Sequence, residues 1–204
     1  MSTTKTEIKK GSFSNSYRIN AGIAGVLILL AYSMLAGGNP DERMLGMILE
    51  VVSGAAVIGI AFIMYPLFKP FNHRGSRWYI TLRVIEGSMM IITGALFLSS
   101  NPQLVSVYER IWTGHAFIFI AGALIFYYLQ YVSRLIPRWL SGWGLIASVL
   151  LLTGNLLELV HITPSMMLYL PIITNEIVLA LWLIVKGFNK SAIMTTKGDE
   201  LTNG

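Results

Sequence analysis

The chain has 204 residues, of which 54% are hydrophobic and only 12% charged, against roughly 45–50% and about 25% in soluble domains. That balance leaves too little polar surface for a soluble fold of this size, and the apolar excess sits in long blocks, as in a chain dissolved in lipid. With no cysteine, disulfides, thiolate metal sites and cysteine nucleophiles are excluded, and the net charge of +5 is not gathered into the contiguous stripe that nucleic acid requires.

In chain order, the polar residues 1–16 read as a disordered tail. Six apolar blocks follow, each near the ~20 residues that a span needs: Tyr17–Ala36, Met44–Phe68, Trp78–Leu98, Trp112–Val132, Trp139–Val160 and Leu168–Phe188. The first is too long for the apolar core of a signal peptide and is read as a retained span. The breaks carry turn chemistry: Gly37-Gly38-Asn39-Pro40-Asp41, Lys69-Pro70, Ser99-Ser100-Asn101-Pro102, Ile136-Pro137-Arg138 and Thr163-Pro164-Ser165. Residues 189–204 form a second polar, disordered tail. The expected fold is all-α, a polytopic bundle of six transmembrane helices in a single membrane domain.

The basic residues set the orientation. Of the 15 Lys and Arg, 12 fall on the side of the two tails and the second-to-third and fourth-to-fifth connections. Arg43 and Arg110 fall on the other side and Arg83 lies within a span. Over connections this short, the positive-inside rule predicts both termini in the cytoplasm. Aromatic residues agree, with Tyr65, Trp78, Tyr79, Tyr131, Trp139 and Trp182 near the inner interface and Tyr108, Trp112 and Tyr169 near the outer one. Small residues at close-packing spacing, such as Ala21 with Gly25, Ala55 with Gly59, and Ser141, Gly142, Gly144 and Ser148, predict tight helix contacts inside the bundle. A dimer face is the alternative use of the same residues.

Ionisable groups within spans are costly and mark function or pairing. Arg83 and Glu86 are spaced i, i+3 and predict an ion pair on one helix face. Glu50, His115 and Glu158 come to similar depths in the outer half, with Glu86 and Glu176 deeper and Asn155 and Asn175 nearby in sequence. Four carboxylates from four helices face one buried arginine, so a pocket for a cation, a proton or a cationic small molecule is the expectation. Pro171, five residues before Glu176, is expected to kink the last span beside the acid. Tyr79 precedes Glu86 by seven residues, and Tyr169 precedes Glu176 by seven. That is a trace of an inverted repeat, too slight to build on.

A zinc site from His115, Glu50 and Glu158 is disfavoured by the scarcity of histidine, and His73 and His161 are badly placed for haem. No deep lysine, Walker loop, dinucleotide fingerprint or serine elbow is present. No cofactor is expected.

Three segments also carry a family likeness. Leu82-Arg83-Val84-Ile85-Glu86-Gly87 is one, and Ile136-Pro137-Arg138-Trp139-Leu140-Ser141-Gly142-Trp143-Gly144 is another. The third is Asn175-Glu176 followed by Leu181-Trp182-Leu183-Ile184-Val185-Lys186-Gly187-Phe188, and the early Tyr17-Arg18-Ile19-x-Ala21-Gly22 fits with them. Together they resemble the prokaryotic multi-pass membrane family catalogued as domain of unknown function 4386. The resemblance implies a six-span protein of a prokaryotic plasma membrane and brings no activity with it.

The functional expectation is a small transporter or binding protein with an outward-facing acidic intramembrane pocket. Its expected partners are the bilayer and a small cationic ligand or proton. One alternative is an accessory or sensor subunit that works through helix contacts with its own kind or another membrane protein. The other, a membrane-embedded metal-assisted enzyme, is the least favoured.

Overall fold

The structure, a computed structural model, describes residues 2–33, 43–97, 102–189 and 191–193. Among these residues the long helices are α1 Ser2–Ala31, α2 Arg43–Phe68, α3 His73–Phe97, α4 Pro102–Ser133, α5 Arg138–Leu159 and α6 Leu170–Val185. A short 3-10 turn, Met166–Leu168, precedes α6. Among the described residues there is no strand. The stretches Met44–Phe68, His73–Leu96, Ser106–Ser133, Arg138–Leu159 and Met166–Val185 are long and apolar enough to cross a membrane, and the apolar part of α1, Ser16–Ala31, is shorter. The polytopic all-α reading of the sequence holds; residues 34–36, counted in the first span, lie outside the described residues.

Several boundaries differ from the sequence reading. α1 starts at Ser2, where the sequence suggests a disordered tail. No proline interrupts residues 2–16, and extending an existing helix costs far less than nucleating one. α4 starts at Pro102 rather than Trp112, since proline suits the first helical position. Its 32 residues correspond to about 48 Å, longer than the ~30 Å apolar slab, so its polar first turns extend beyond the lipid core. Pro171 does not kink a continuous span. It lies in the first turn of α6, where the missing N–H breaks no helical bond, and the chain enters through the 3-10 turn held by Ser165. Of the second expected tail, Asn189 donates its backbone N–H to Leu135 O at 2.8 Å, and Ala192 and Ile193 pack against the core.

Each helix packs on its neighbours in the chain, and α1 returns to pack on α6, so the six helices close a ring in sequence order. Two close approaches depend on glycine. Gly54 of α2 and Gly87 of α3 meet so tightly that a Cβ on either would come within 2.5 Å of the other's carbonyl oxygen. A Cβ on Gly25 of α1 would lie 2.6 Å from Ala180 O of α6. In lipid, where apolar side chains gain nothing by leaving the solvent, such backbone proximity is a principal source of helix association.

Arg18 of α1 fastens the same seam. Its Nη2 donates to Ile184 O and Val185 O, both at 2.8 Å, and its Nη1 to Leu183 O at 3.2 Å. These carbonyls belong to the last turn of α6, which has no intrahelical donors and carries the negative end of the helix dipole. At the same end Asn72 starts α3, accepting Gly75 N–H on its side chain at 2.8 Å and Ser76 N–H on its carbonyl at 2.9 Å. At the opposite end α5 closes with His161 in the left-handed region at φ 62° and Ile162 N–H returning to Leu157 O at 2.9 Å.

Candidate functional site

The ring encloses a cavity of about 270 Å³ to which all six helices contribute. Its wall is largely apolar, with Ile28, Val57, Ile60, Met90, Leu151 and Ile172 among the aliphatic residues. It lies toward the end of the bundle that carries the α5–α6 connection, since Tyr32 at the end of α1, Trp112, Asn155 and Tyr169 all line it. Toward the end that carries both termini an aromatic floor closes it. Tyr79 stacks on Phe126 at 5.4 Å, and Phe68 meets their edges at 5.5 and 5.9 Å.

The polar groups come from opposed positions in the ring. Glu86 of α3, 2% exposed, accepts two hydrogen bonds from Nη1 of Arg83, at 2.8 and 3.0 Å. This is the i, i+3 pair expected from the sequence, and it is the ion pair formed among the described residues. The Arg83 guanidinium also lies over three rings, 5.3 Å from the centroid of Phe119, 5.8 Å from Tyr79 and 5.9 Å from Phe126. A charge this deep is sustained by a carboxylate in front and aromatic faces around it.

Glu176 of α6, 9% exposed, lines the same cavity. Tyr32 lines the cavity beside this carboxylate. The Tyr127 hydroxyl lies close by but stays outside hydrogen-bond geometry. No cation among the described residues stands within ion-pair distance of Glu176. The cavity therefore has two carboxylates and one guanidinium, and the guanidinium is already engaged by Glu86.

His115 of α4 is the fourth ionisable side chain on the wall apart from the tyrosines. It is 6% exposed, stacks on Trp112 at 5.2 Å, and its Nε2 is buried without a protein partner. A buried polar atom without a partner is uncommon, and the residue that carries it lines the cavity. Asn155 also lines the cavity, its Nδ2 donating to Leu151 O at 2.9 Å.

Of the residues singled out in the sequence, the structure thus brings Glu86, His115, Asn155 and Glu176 together with Arg83. It does not bring the rest into the cavity. Glu50 is buried among α2, α3 and α4, with Oε1 accepting from Tyr108 OH at 3.0 Å and Oε2 unpartnered. It connects to the cavity only through a column of rings in which Tyr108 stacks on Trp112 and Trp112 on His115. Glu158 is exposed on the outer turns of α5, 3.4 Å from Tyr169 OH. Asn175 points to α5, where Nδ2 donates to Leu140 O at 3.0 Å, and so works as a helix clamp. The four-carboxylate funnel is in fact a two-carboxylate pocket, because residues at one depth can lie on different helix faces.

The sequence reading passes over Tyr32, Tyr127 and the role of Trp112. No signal in one sequence separates a pocket tyrosine from an interfacial one. The spacing of seven between Tyr79 and Glu86, and again between Tyr169 and Glu176, does gain meaning, since all four residues line the cavity. α3 and α6 run in opposite directions, so Tyr79 lies on the floor side of its acid and Tyr169 on the mouth side. Among the described residues no group of three or more histidines and carboxylates is placed to hold a metal ion.

The family model for Domain of unknown function (DUF4386) matches residues 29–187, so the chain belongs to that family. No curated protein and no solved structure matches the chain.

Proposed function

For this member of the DUF4386 family we propose a membrane binding or transport role in which the central pocket takes a small cationic molecule from the outer face, with Glu176 as its counter-ion. One observation carries the reading: Glu176 lines the cavity beside Tyr32 with no ion-pair partner among the described residues, while Arg83 is committed to Glu86. A carboxylate in the apolar part of a membrane protein is stable only when it holds a proton, meets water or meets a cation. A mostly apolar cavity with a few convergent polar groups is also the usual form of a small-molecule site.

The setting supports the same role. The distribution of Lys and Arg supports an orientation with both termini in the cytoplasm, which turns the cavity mouth outward. Several of the small residues that motivate an accessory-subunit reading are used within the bundle: Gly25 faces α6, and Ser141, Gly144 and Ser148 are buried, whereas Ala55 is exposed and Gly142 has open space beside it.

The test is a thermal-stabilisation screen of purified protein in lipid nanodiscs against a panel of organic and inorganic cations. Wild type is expected to gain stability with at least one cation, and Glu176→Gln to fold but lose that gain. Equal stabilisation of the two proteins by every cation in the panel removes Glu176 from the role and the proposal with it.

A further inference from the structure

Resting on the cationic-pocket reading, the geometry points to a narrower ligand class: we infer that the pocket takes a lipophilic organic cation with an aromatic or bulky apolar body, and not a hydrated inorganic ion or a small polar amine. The first reason is the supply of oxygen ligands. A hard cation of the calcium type needs six to eight oxygens and one of the magnesium type about six in near-octahedral geometry. Both oxygens of Glu86 are bound to Arg83. What remains on this wall is the Glu176 carboxylate, the Tyr32 hydroxyl and the amide oxygen of Asn155, whose nitrogen is spent on Leu151 O. That is enough for one charge-assisted contact and far too little to replace a hydration shell.

The second reason is the wall. The cavity of about 270 Å³ is bounded mainly by aliphatic and aromatic side chains. A small polar amine would give up its water against these surfaces and recover a single ion pair. A delocalised or shielded cation loses little hydration on entry, buries apolar surface and is attracted to ring faces. The protein already displays that recognition on itself, because the Arg83 guanidinium, the weakly hydrated cation of the natural set, lies over Tyr79, Phe119 and Phe126 in the same cavity. Trp112 and His115 form a stacked wall over which no cation is placed among the described residues. The ligand body belongs against Trp112 and its charge at Glu176.

The experiment uses ethidium as the probe and the full chain in nanodiscs. Of the five tryptophans, Trp112 is the one on the described cavity wall, so ethidium binding should quench a saturable part of the tryptophan emission. Glu176→Gln should abolish that saturable phase. Trp112→Leu should remove most of the quenching and weaken binding about tenfold, in line with ~1–1.5 kcal/mol for one aromatic contact. Tetraphenylphosphonium should displace ethidium at least a hundredfold more effectively than tetramethylammonium or potassium.

Saturable, Glu176-dependent displacement by tetramethylammonium or potassium at concentrations like that of tetraphenylphosphonium would overturn the lipophilic class and leave the cationic pocket standing. Thermal stabilisation by an inorganic ion that Glu176→Gln abolishes, with no saturable ethidium phase, would do the same. Absence of any Glu176-dependent effect, from ethidium or from the inorganic cations, would sink both readings.

Discussion

The two ends of the bundle solve different problems. The end that carries the termini is sealed by the aromatic floor of Phe68, Tyr79 and Phe126, and Arg18 caps α6 there. The other end holds the cavity, with Glu176 unpaired, the His115 Nε2 unpartnered and Tyr32 and Tyr169 at the mouth. At the sealed end the charged group Arg18 is satisfied by a helix end, while the Tyr79 hydroxyl and the Gln130 amide are buried there without a partner. At the open end the Glu176 carboxylate has no ion-pair partner among the described residues. The contrast teaches that the same residue types have opposite meanings at different depths: Arg18 holds two helices together, whereas Glu176 leaves a charge to be balanced by something else.

Substitutions can break that contrast, and the largest effect is expected at the boundary between the ends. Arg83→Met strands Glu86 in the bundle and should cost about 3–5 kcal/mol, whereas adding Glu86→Leu to it should recover most of the loss. Reversible unfolding in mixed micelles, run as a double-mutant cycle, measures both. Gly87→Val should come next at about 3 kcal/mol, because the new side chain meets the α2 backbone at Gly54 O, which cannot give way, as well as the Ile58 side chain. The same unfolding assay reads it.

Arg18→Gln should cost only about 0.5–1 kcal/mol, since the cap is solvent-exposed. Its mark should be local, seen as faster hydrogen exchange in the last turn of α6. Glu176→Gln should change stability least, by less than about 1 kcal/mol, because the amide keeps the shape of the side chain and no ion pair is broken. It should nevertheless abolish cation binding, so stability and binding separate at this residue. A loss of several kcal/mol there would class Glu176 with Glu86 as a structural acid.

Much of this architecture is legible in the sequence. Block length, charge alternation and interfacial aromatics define a six-helix membrane bundle because the bilayer imposes one length and one polarity pattern on every span. The Arg83–Glu86 pair is equally legible, since i, i+3 spacing fixes its geometry within one helix. What lies between helices is less so. Glu50, Glu158 and Glu176 look alike as acids within apolar blocks, yet one is hydrogen-bonded to Tyr108, one is exposed and one faces the cavity. The difference is the rotation of each helix about its axis, set by contacts such as Gly54 with Gly87 that join residues distant in the chain. Pro171 shows the same limit at an element's end: whether a proline kinks a helix or starts one depends on where the previous turn stops.

The central claim, an outward-facing cation pocket, is tested most directly by a single introduced cysteine, because the chain has none of its own. Asn155→Cys places a thiol on the cavity wall, and Ala147→Cys places one at a buried site in the same helix. Intact cells are treated from outside with a membrane-impermeant trimethylammonium thiosulfonate. The account predicts modification of Asn155→Cys, protection of it by tetraphenylphosphonium, and an inert Ala147→Cys. Modification of Asn155→Cys only in inside-out vesicles, or at a rate that tetraphenylphosphonium does not change, would contradict it.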